Sequence, residues 1–229
     1  MERLKTGIPG FDELMGGGVP KGQLVLVTGT SGTGKTLFCS QAMYNGLVKG
    51  KENAVFLSFE EPPNLIKENV KEFGWNLDPY QKSGKLIFLK YDPYHIEDVF
   101  DILDSTIRKI NAKRVFIDSI SALGLHVQDN SELRRIIFNL SDGLRKLDCT
   151  AFMTSEIVPG SRGISRYGVE EFVADSVVVF YYERSGSTFS RAVQIWKVRG
   201  SSHSDKLHPY AITDKGLKVS AHEEAVIKR

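Results

Sequence analysis

The residues best suited to chemistry form a glycine-rich run, GTSGTGKT. The run fits the pattern G-x-x-x-x-G-K-[ST], follows the apolar residues 24–27 and precedes residues 37–43, which indicate a helix. Glycines let main-chain N–H groups close around phosphate oxygens, and the beginning of a helix adds partial positive charge there. A glycine-rich surface turn is the alternative, but it would not need the flanking strand and helix. The spacing therefore predicts a P-loop that binds nucleotide phosphates through Gly29, Thr30, Ser31, Gly32, Thr33, Gly34, Lys35 and Thr36.

Two of these residues, together with a distant acid, have the types needed to handle a magnesium triphosphate. Lys35 is expected to reach the β- and γ-phosphates, and the Thr36 hydroxyl is expected to bind Mg²⁺. Asp118 ends an apolar run at residues 114–119, which is the position of a Walker B acid that holds Mg²⁺ directly or through water. An Asp-Ser pair also begins turns, so a turn cap is the alternative for Asp118. We predict Thr36 and Asp118 as the metal ligands.

Adjacent acids follow the predicted strand at residues 54–59. Hydrolysis of a γ-phosphate needs a group that orients and polarises a water molecule, and either Glu60 or Glu61 has the required carboxylate. Only one of them can face the phosphate, because successive residues leaving a strand point to opposite sides. We predict Glu60 as the base, with Glu61 as an orienting or intersubunit partner. The alternative is two solvated acids at the start of a helix.

Lys197 and Arg199 are spaced by two, which places both cations on one face of a predicted strand at residues 191–198. A transferring phosphoryl group is stabilised by added positive charge, often from a neighbouring subunit. The spacing alone favours a solvated face of an edge strand, where lysine also blocks aggregation. Arg162 and Arg166 lie in a glycine-containing loop, for which solvent exposure is the simpler interpretation.

These residues need a scaffold, and the hydrophobic pattern predicts strands alternating with helices. The carboxyl ends of parallel strands meet at one edge of a sheet, where the P-loop, Glu60, Asp118 and Ser155 would come together. The pattern indicates an α/β fold with a mostly parallel twisted sheet, helices on both faces and an antiparallel β extension at the C-terminus. The expected strands are 24–27, 54–59, 86–89, 114–119, 149–155, a hairpin of 176–182 with 191–198 across a Ser-Gly-Ser turn, and a last strand at 210–213. The expected helices are 9–15, 63–73, 95–110 and 131–147, the last capped by Asp129 or Ser131.

Composition narrows the class of protein. A length of 229 residues with 41% hydrophobic residues suits one α/β domain over residues 1–229. The formal net charge of +2 argues neither for nor against nucleic acid. Cys39 and Cys149 lie in apolar contexts, which predicts reduced core thiols. No apolar run approaches the roughly 18–20 residues of a transmembrane helix, and the first residues lack a signal-peptide core, so we expect a cytoplasmic protein without membrane contact.

With these residues placed, the chain resembles the KaiC-like branch of the RecA superfamily of P-loop ATPases. The resemblance covers nearly the whole chain, and three of its motifs, the Glu-Glu pair, RYGVEEF and KVRGSSH, are far more specific than a P-loop alone. The matching stretches are TGIPGFD at 6–12, the P-loop, SFEE at 58–61, FGW at 73–75, IDS at 117–119, RYGVEEF at 166–172, KVRGSSH at 197–203 and ITDKG at 212–216.

The resemblance implies a hexameric ring with ATP or ADP and Mg²⁺ bound between neighbouring subunits. One subunit would supply the P-loop contacts, extended to Leu37, together with Glu60, Glu61 and Asp118. The next subunit would supply Lys197 and Arg199 to the phosphates, so the resemblance favours a functional role for these cations. The other contacts expected from that same side are Val198, Ser201, His203, Thr213 and Asp214. Clock members of the family carry two such domains, this chain shows one, and it has no clear match for their phosphoacceptor pair, so autokinase activity is not implied.

We therefore predict slow, Mg²⁺-dependent ATP hydrolysis in a ring-shaped oligomer with a regulatory or signalling role and an unnamed protein partner. One alternative is a nucleic-acid-dependent motor or recombination accessory, in which pore loops near 125–131 and 157–168 carry cations; this is possible but not favoured. A second alternative is a nucleotide-gated assembly module with little turnover. The candidate pore cations are Arg134, Arg135, Arg162 and Arg166.

Overall fold

The computed structural model describes residues 1–92, 96–125, 127, 129–185 and 187–226. Its strands form a two-stranded and a nine-stranded sheet within these residues. The small sheet pairs β1 (Arg3–Leu4) with β2 (Val19–Pro20). The strands of the large sheet are β3 (Leu24–Gly29), β4 (Ala54–Ser58), β5 (Leu86–Lys90), β6 (Arg114–Asp118), β7 (Thr150–Glu156), β8 (Ser176–Ser185), β9 (Thr188–Val198), β10 (Leu207–Thr213) and β11 (Gly216–Val219).

Helices connect most of the parallel strands, as short crossovers in a doubly covered sheet require. A π-helical turn, Gly46–Gly50, continues the helix that follows the P-loop. The α-helices in the described part of the chain are α1 (Phe11–Leu14), α2 (Lys35–Asn45), α3 (Pro63–Lys71), α4 (Asp78–Lys82), α5 (Ile96–Ile110), α6 (Ile120–Gly124), α7 (Asn130–Lys146) and α8 (Glu170–Val173).

The large sheet has the order β11-β10-β9-β8-β3-β7-β6-β4-β5. The six strands from β8 to β5 run parallel, whereas β9, β10 and β11 each run antiparallel to the preceding strand. The predicted α/β fold with a parallel sheet and an antiparallel C-terminal extension is therefore confirmed. We call the edge at which β3, β4, β6 and β7 end the carboxyl edge, and the edge at which they begin the amino edge.

The core lies on both faces of the sheet because the parallel strands are apolar throughout. Val25 and Val27 of β3 enter one hydrophobic cluster, which includes residues of α1 and α2. Leu24 and Leu26 enter the other cluster, which includes residues of α5 and α7. Side chains alternate between the faces of a strand, so a continuous apolar run supplies both clusters at once.

Several elements differ from the sequence-based expectation. The helix predicted at residues 131–147 is α7. Its N-cap is Asp129, because that carboxylate accepts from the N–H groups of Ser131 at 2.7 Å and Glu132 at 2.8 Å. The strand expected to end the chain is β10, and β11 follows it and pairs with it. The predicted helix 9–15 is shorter, and α4, α6, α8, β1 and β2 were not predicted, because elements of two to five residues carry too little periodicity.

Some expectations extend beyond the described residues. Residue 95, where one helix was expected to begin, residue 186 of the hairpin turn, and residues 126 and 128 of a candidate pore loop lie outside them. Among the helices that are described, none is long and apolar enough to cross a membrane. Both cysteines are buried and unpaired, in agreement with the prediction of core thiols.

Candidate functional site

The P-loop joins the buried end of β3 to α2 at the carboxyl edge. Gly32 and Gly34 adopt positive φ angles of 79° and 89°, a conformation that residues with a Cβ adopt at a cost. No side chain caps α2, whose preceding residue is Gly34. The first main-chain N–H groups of a helix have no acceptor within the helix, so this end of α2 is suited to an anionic ligand.

Lys35 lies inside the curve of the loop. Its Nζ donates to the carbonyl oxygens of Gly29 at 2.9 Å and Thr30 at 3.0 Å. Burial lowers the pKa of Lys35, while the negative charges of Glu156, Asp118 and Glu60 raise it in part. The ammonium group is therefore held at the loop and surrounded by acids of the same edge.

Thr36 and Asp118, the predicted metal ligands, are in direct contact with each other. Thr36 Oγ1 donates to Asp118 Oδ2 at 2.7 Å, and the other carboxylate oxygen of Asp118 accepts from Thr154. The peptide bond that follows Asp118 is cis. Mg²⁺ prefers oxygen ligands and is commonly held by one or two protein groups plus phosphate oxygens and water. A hydroxyl and a carboxylate side by side next to a phosphate-binding loop fit that ion.

Although adjacent in sequence, Glu60 and Glu61 have different surroundings. Glu60 is exposed, and its Oε1 accepts from Ser119 Oγ at 2.9 Å beside Asp118. Glu61 is half-buried and lines the cleft next to Lys35, and its buried Oε2 finds no partner among the described residues. Burial raises the pKa of Glu61, and the negative charges of Asp118 and Glu60 add to that rise.

A cleft of about 350 Å³ extends from the P-loop between α2 and α3. Ile212 of β10 closes one side, since a Cβ at Gly34 would lie 3.1 Å from Ile212 Cδ1. Nearby, Tyr210 donates its hydroxyl to the carbonyl of Thr33 at 2.6 Å. The α3 side of the cleft was not predicted as part of the site, because its apolar residues follow the spacing of a core stripe. Its further lining residues are Leu37, Ser40, Ile66, Asn69, Val70 and Phe73.

Lys197 and Arg199 lie at the amino edge, away from the P-loop of their own chain. Val198 pairs with Ser176 of β8, which is level with Val25 of β3, four residues before Gly29. Lys197 pairs with Val177, which is level with Leu26, so a rise of about 3.3 Å per residue puts its backbone roughly 10 Å from the loop along the strand direction, and that of Arg199 farther away. Such a separation exceeds the reach of either side chain, so the structure does not bring them to the phosphate-binding loop of the same molecule.

Both cations have acceptors within their own chain. Lys197 Nζ donates to the carbonyl oxygen of Glu171 at 2.6 Å. Burial lowers the pKa of Lys197, and the charge of Arg199 lowers it further. Arg199 Nη1 lies 3.4 Å from a carboxylate oxygen of Asp175, whose side chain is almost fully buried. Lys197 is thus half-buried against α8, whereas Arg199 is exposed and contacts a buried acid.

The remaining predicted contacts divide between the two edges. Ser201 accepts from Arg3, and His203 Nδ1 lies 2.8 Å from the carbonyl of Ser204, close to the end of β9 at the amino edge. Thr213 and Asp214 instead follow Ile212 at the carboxyl edge, beside the P-loop of their own chain. Within one chain, the residues expected to approach the nucleotide from one side therefore lie at two edges of the sheet. The physical reason is strand direction, because β10 runs antiparallel to β9 and so returns to the opposite edge.

The arginines proposed for a nucleic-acid pore have unlike surroundings. Arg134 and Arg135 are exposed on α7, and Arg135 lies 3.9 Å from Glu132. Arg166 pairs with Glu156 at 3.1 Å. Arg162 lines a cavity of about 620 Å³ next to Thr30. Two of the four cations are therefore partly neutralised by acids of the same chain.

Two further residues at the site were missed by the sequence analysis. Thr154 bonds the Walker B acid, and Glu156 is the acid that most favours the charged form of Lys35. Both belong to β7, whose end at the same edge was predicted through Ser155. The sequence indicated that β7 ends at this edge, but it did not indicate which side chains of the strand point toward the site.

The fold and the site together define a P-loop nucleotide-binding protein with a RecA-type sheet. The sequence matches the family described as "ATPase: KaiC" over residues 4–224. The chain belongs to the KaiC family of ATPases.

Relatives of two lengths are similar to this chain. It is 38% identical over 226 residues to the circadian clock protein KaiC3 of Synechocystis, but it spans 45% of that protein. It is 37% identical to a UPF0273 protein of Methanocaldococcus jannaschii, with 96% of each chain covered. The solved structure of a KaiC-like protein from Pyrococcus horikoshii matches with a TM-score of 0.87 and 36% identity, covering 95% of this chain and 98% of that one. The chain thus spans less than half the length of the clock protein.

Proposed function

We propose that this chain binds ATP with Mg²⁺ and hydrolyses it slowly at the interfaces of a ring of identical subunits, most simply a hexamer. One observation carries this proposal. The P-loop with Asp118 lies at the carboxyl edge, whereas the backbone of Lys197 and Arg199 lies toward the amino edge, about 10 Å or more away along the strands. Two complementary faces at opposite edges suit head-to-tail association, which closes into a ring.

In the proposed reaction, each group has one task. Main-chain N–H groups of the P-loop and the Lys35 ammonium bind the β- and γ-phosphate oxygens. Thr36 and Asp118 would hold Mg²⁺, which would supply positive charge to stabilise the phosphate oxygens. Glu60, oriented by Ser119, accepts a proton from the attacking water. Lys197 and Arg199 of the adjoining subunit stabilise the charge that develops on the transferring phosphoryl group.

The nucleoside is expected to occupy the cleft between α2 and α3. Its apolar wall, with Phe73 and Ile212, suits the face of a base, and the amide of Asn69 supplies both a donor and an acceptor. Thr213 and Asp214 directly follow Ile212, which lines the same cleft. In this proposal they contact the nucleotide from the chain that holds its phosphates, and Val198, Ser201 and His203 approach from the neighbour.

Steady-state phosphate release tests the proposal. Lys35→Ala is expected to abolish nucleotide binding in calorimetry and phosphate release together. Glu60→Gln is expected to keep binding and lose turnover, because it removes only the proton acceptor. Lys49→Ala, a change at an exposed lysine remote from the loop, serves as the matched control and should match the unaltered protein. Turnover that persists in both Lys35→Ala and Glu60→Gln would remove the proposed mechanism.

A further inference from the structure

We propose that Glu170 is a positioning residue that places Lys197 for the nucleotide site of the adjoining subunit. The inference rests on the proposed function, since it assumes that Lys197 acts across an interface. Glu170 is an acid that has no part in the proposed reaction itself. Glu170 is 0% exposed, and none of the ion pairs within the described residues includes it.

A buried carboxylate without a cation is costly unless hydrogen bonds replace its hydration. Glu170 has such replacements on both oxygens. Oε1 accepts from Ser155 Oγ at 3.0 Å, and Oε2 accepts from Ser165 Oγ at 2.8 Å. The N–H groups of Tyr167 and Val169 donate to it at 3.3 Å and 3.1 Å. The carboxylate therefore ties the end of β7, the loop at residues 165–169 and the beginning of α8 into one unit.

This unit carries the acceptor that holds Lys197. The carbonyl oxygen of Glu171, the residue directly after Glu170, accepts from Lys197 Nζ. Because α8 has only four residues, few contacts within the helix can fix its place. The side chain of Glu170 anchors its first residue, and the Glu171 carboxylate accepts from Ser165, the same hydroxyl that Glu170 uses. Displacement of that anchor moves the Glu171 carbonyl and, with it, the ammonium group.

Arg199 has a separate anchor, which makes the effect specific to Lys197. Asp175 accepts from the N–H of Leu24 at 3.1 Å and from Arg145 at 3.0 Å, and it lies 3.4 Å from Arg199. That acid is therefore attached to β3 and α7 independently of Glu170. Loss of the Glu170 carboxylate should leave Arg199 in place and displace Lys197.

Glu170→Gln keeps the size of the side chain and replaces one acceptor oxygen with a donor group. We expect kcat for ATP hydrolysis to fall about 10- to 100-fold, because a displacement of about 1 Å in a catalytic group is enough for such a loss. KM and the nucleotide affinity of the P-loop should change less than about twofold, since Glu170 touches no residue of that loop. Glu132→Gln, the same change at an exposed site, is the matched control and should behave as the unaltered protein.

Mixed oligomers decide where the defect acts. A Glu60→Gln subunit is expected to bind nucleotide without hydrolysing it, and it still offers intact cations to its neighbour. A Glu170→Gln subunit has an intact P-loop but misplaces its own Lys197. Equal mixing of the two should restore about one quarter of the unaltered activity, because a head-to-tail ring pairs the two faces at random.

A parallel mixture of Glu60→Gln with Lys197→Ala separates this inference from the proposed function. If that mixture recovers activity and the mixture with Glu170→Gln does not, Glu170 acts on its own site and the inference is wrong. If neither mixture recovers activity, the shared interface itself is wrong. A thermal unfolding midpoint for Glu170→Gln several degrees below that of the unaltered protein, together with weakened P-loop affinity, would also overturn the inference, since it would show a structural defect.

Discussion

At the scale of single residues, two acids that are adjacent in the sequence, Glu60 and Glu61, have different surroundings in the structure. Glu60 is exposed and bonded to Ser119, whereas Glu61 is half-buried and raised in pKa chiefly by its burial. A general base must be ionised and must reach the water that it activates. Glu60 is the exposed member of the pair, which favours it as the base in the proposed reaction.

Comparison of Glu60→Gln with Glu61→Gln tests this assignment. We expect Glu60→Gln to lower kcat by about 10²- to 10⁴-fold, the usual contribution of a positioned proton acceptor. The loss in Glu61→Gln should be smaller, because its carboxylate lines the cleft as an orienting group. Single-turnover phosphate release at saturating ATP measures both. A larger loss in Glu61→Gln than in Glu60→Gln would assign the base to Glu61 instead.

The raised pKa of Glu61 also has a consequence for stability. A carboxyl with a folded-state pKa above its unfolded value favours folding when protonated and loses that contribution as the pH rises through the folded pKa. At pH 7 the raised pKa therefore corresponds to a loss of stability, and Glu61→Gln should raise the free energy of unfolding. Below a pH of about 4.3, where the unfolded-state carboxyl is protonated too, the advantage should vanish.

Urea denaturation of both proteins at pH 7.5 and at pH 4 measures this difference. Glu68→Gln, on the exposed side of α3, is a control without a buried carboxylate. An advantage of Glu61→Gln that is equal at both pH values would mean that charge burial is not its cause.

At the scale of the elements, strand direction decides which residues meet. The end of β9 and the end of β10 lie at opposite edges of the sheet, although fewer than twenty residues separate Lys197 from Thr213. Short helices then hold side chains at each edge: α2 presents the P-loop lysine, and α8 carries the acceptor of Lys197. The antiparallel extension is therefore part of the site as well as part of the core.

The cap of α7 gives a test at this scale. Asp129 accepts from two N–H groups at the beginning of the helix. Asp129→Ala should lower the free energy of unfolding by about 1 kcal/mol, within a usual range of roughly 0.5–2 kcal/mol. Ser131→Ala, at the other position considered for the cap, should have little effect. Urea denaturation measures both, and equal losses would mean that the cap is not the Asp129 side chain.

At the scale of the whole molecule, two faces have complementary chemistry. The carboxyl edge has the P-loop with the oxygen atoms of Thr36 and Asp118, and the amino edge has Lys197 and Arg199. A triphosphate between two copies would neutralise charge on both sides, which should couple association to the nucleotide.

Sedimentation velocity with and without nucleotide checks this coupling. With Mg²⁺ and a non-hydrolysable ATP analogue, we expect a shift from small species to a ring, and a weaker shift with ADP because the γ-phosphate is missing. Lys35→Ala should show no shift. An oligomer whose size is unaffected by either nucleotide would contradict the proposed coupling. If the size of the oligomer depends on the bound nucleotide while phosphate release is negligible, the result would instead favour a nucleotide-gated assembly module.

Much of the fold and part of the site were predictable because their determinants are local. The P-loop is eight consecutive residues with a fixed pattern, so its spacing and its flanking strand and helix were readable directly. The strands were readable as apolar runs, and Asp118 as a polar residue that ends one of them. These features depend on the order of neighbouring residues and on solvent exclusion.

Only the tertiary structure decided how distant segments combine. It placed Thr213 and Asp214 beside the P-loop of their own chain and Lys197 at the other edge, and it buried Glu170 among hydroxyl and N–H donors. It also added Ile212 to the cleft wall. Strand order, strand direction and burial depend on pairing between residues far apart in the chain. A local sequence pattern does not indicate which distant residues pair.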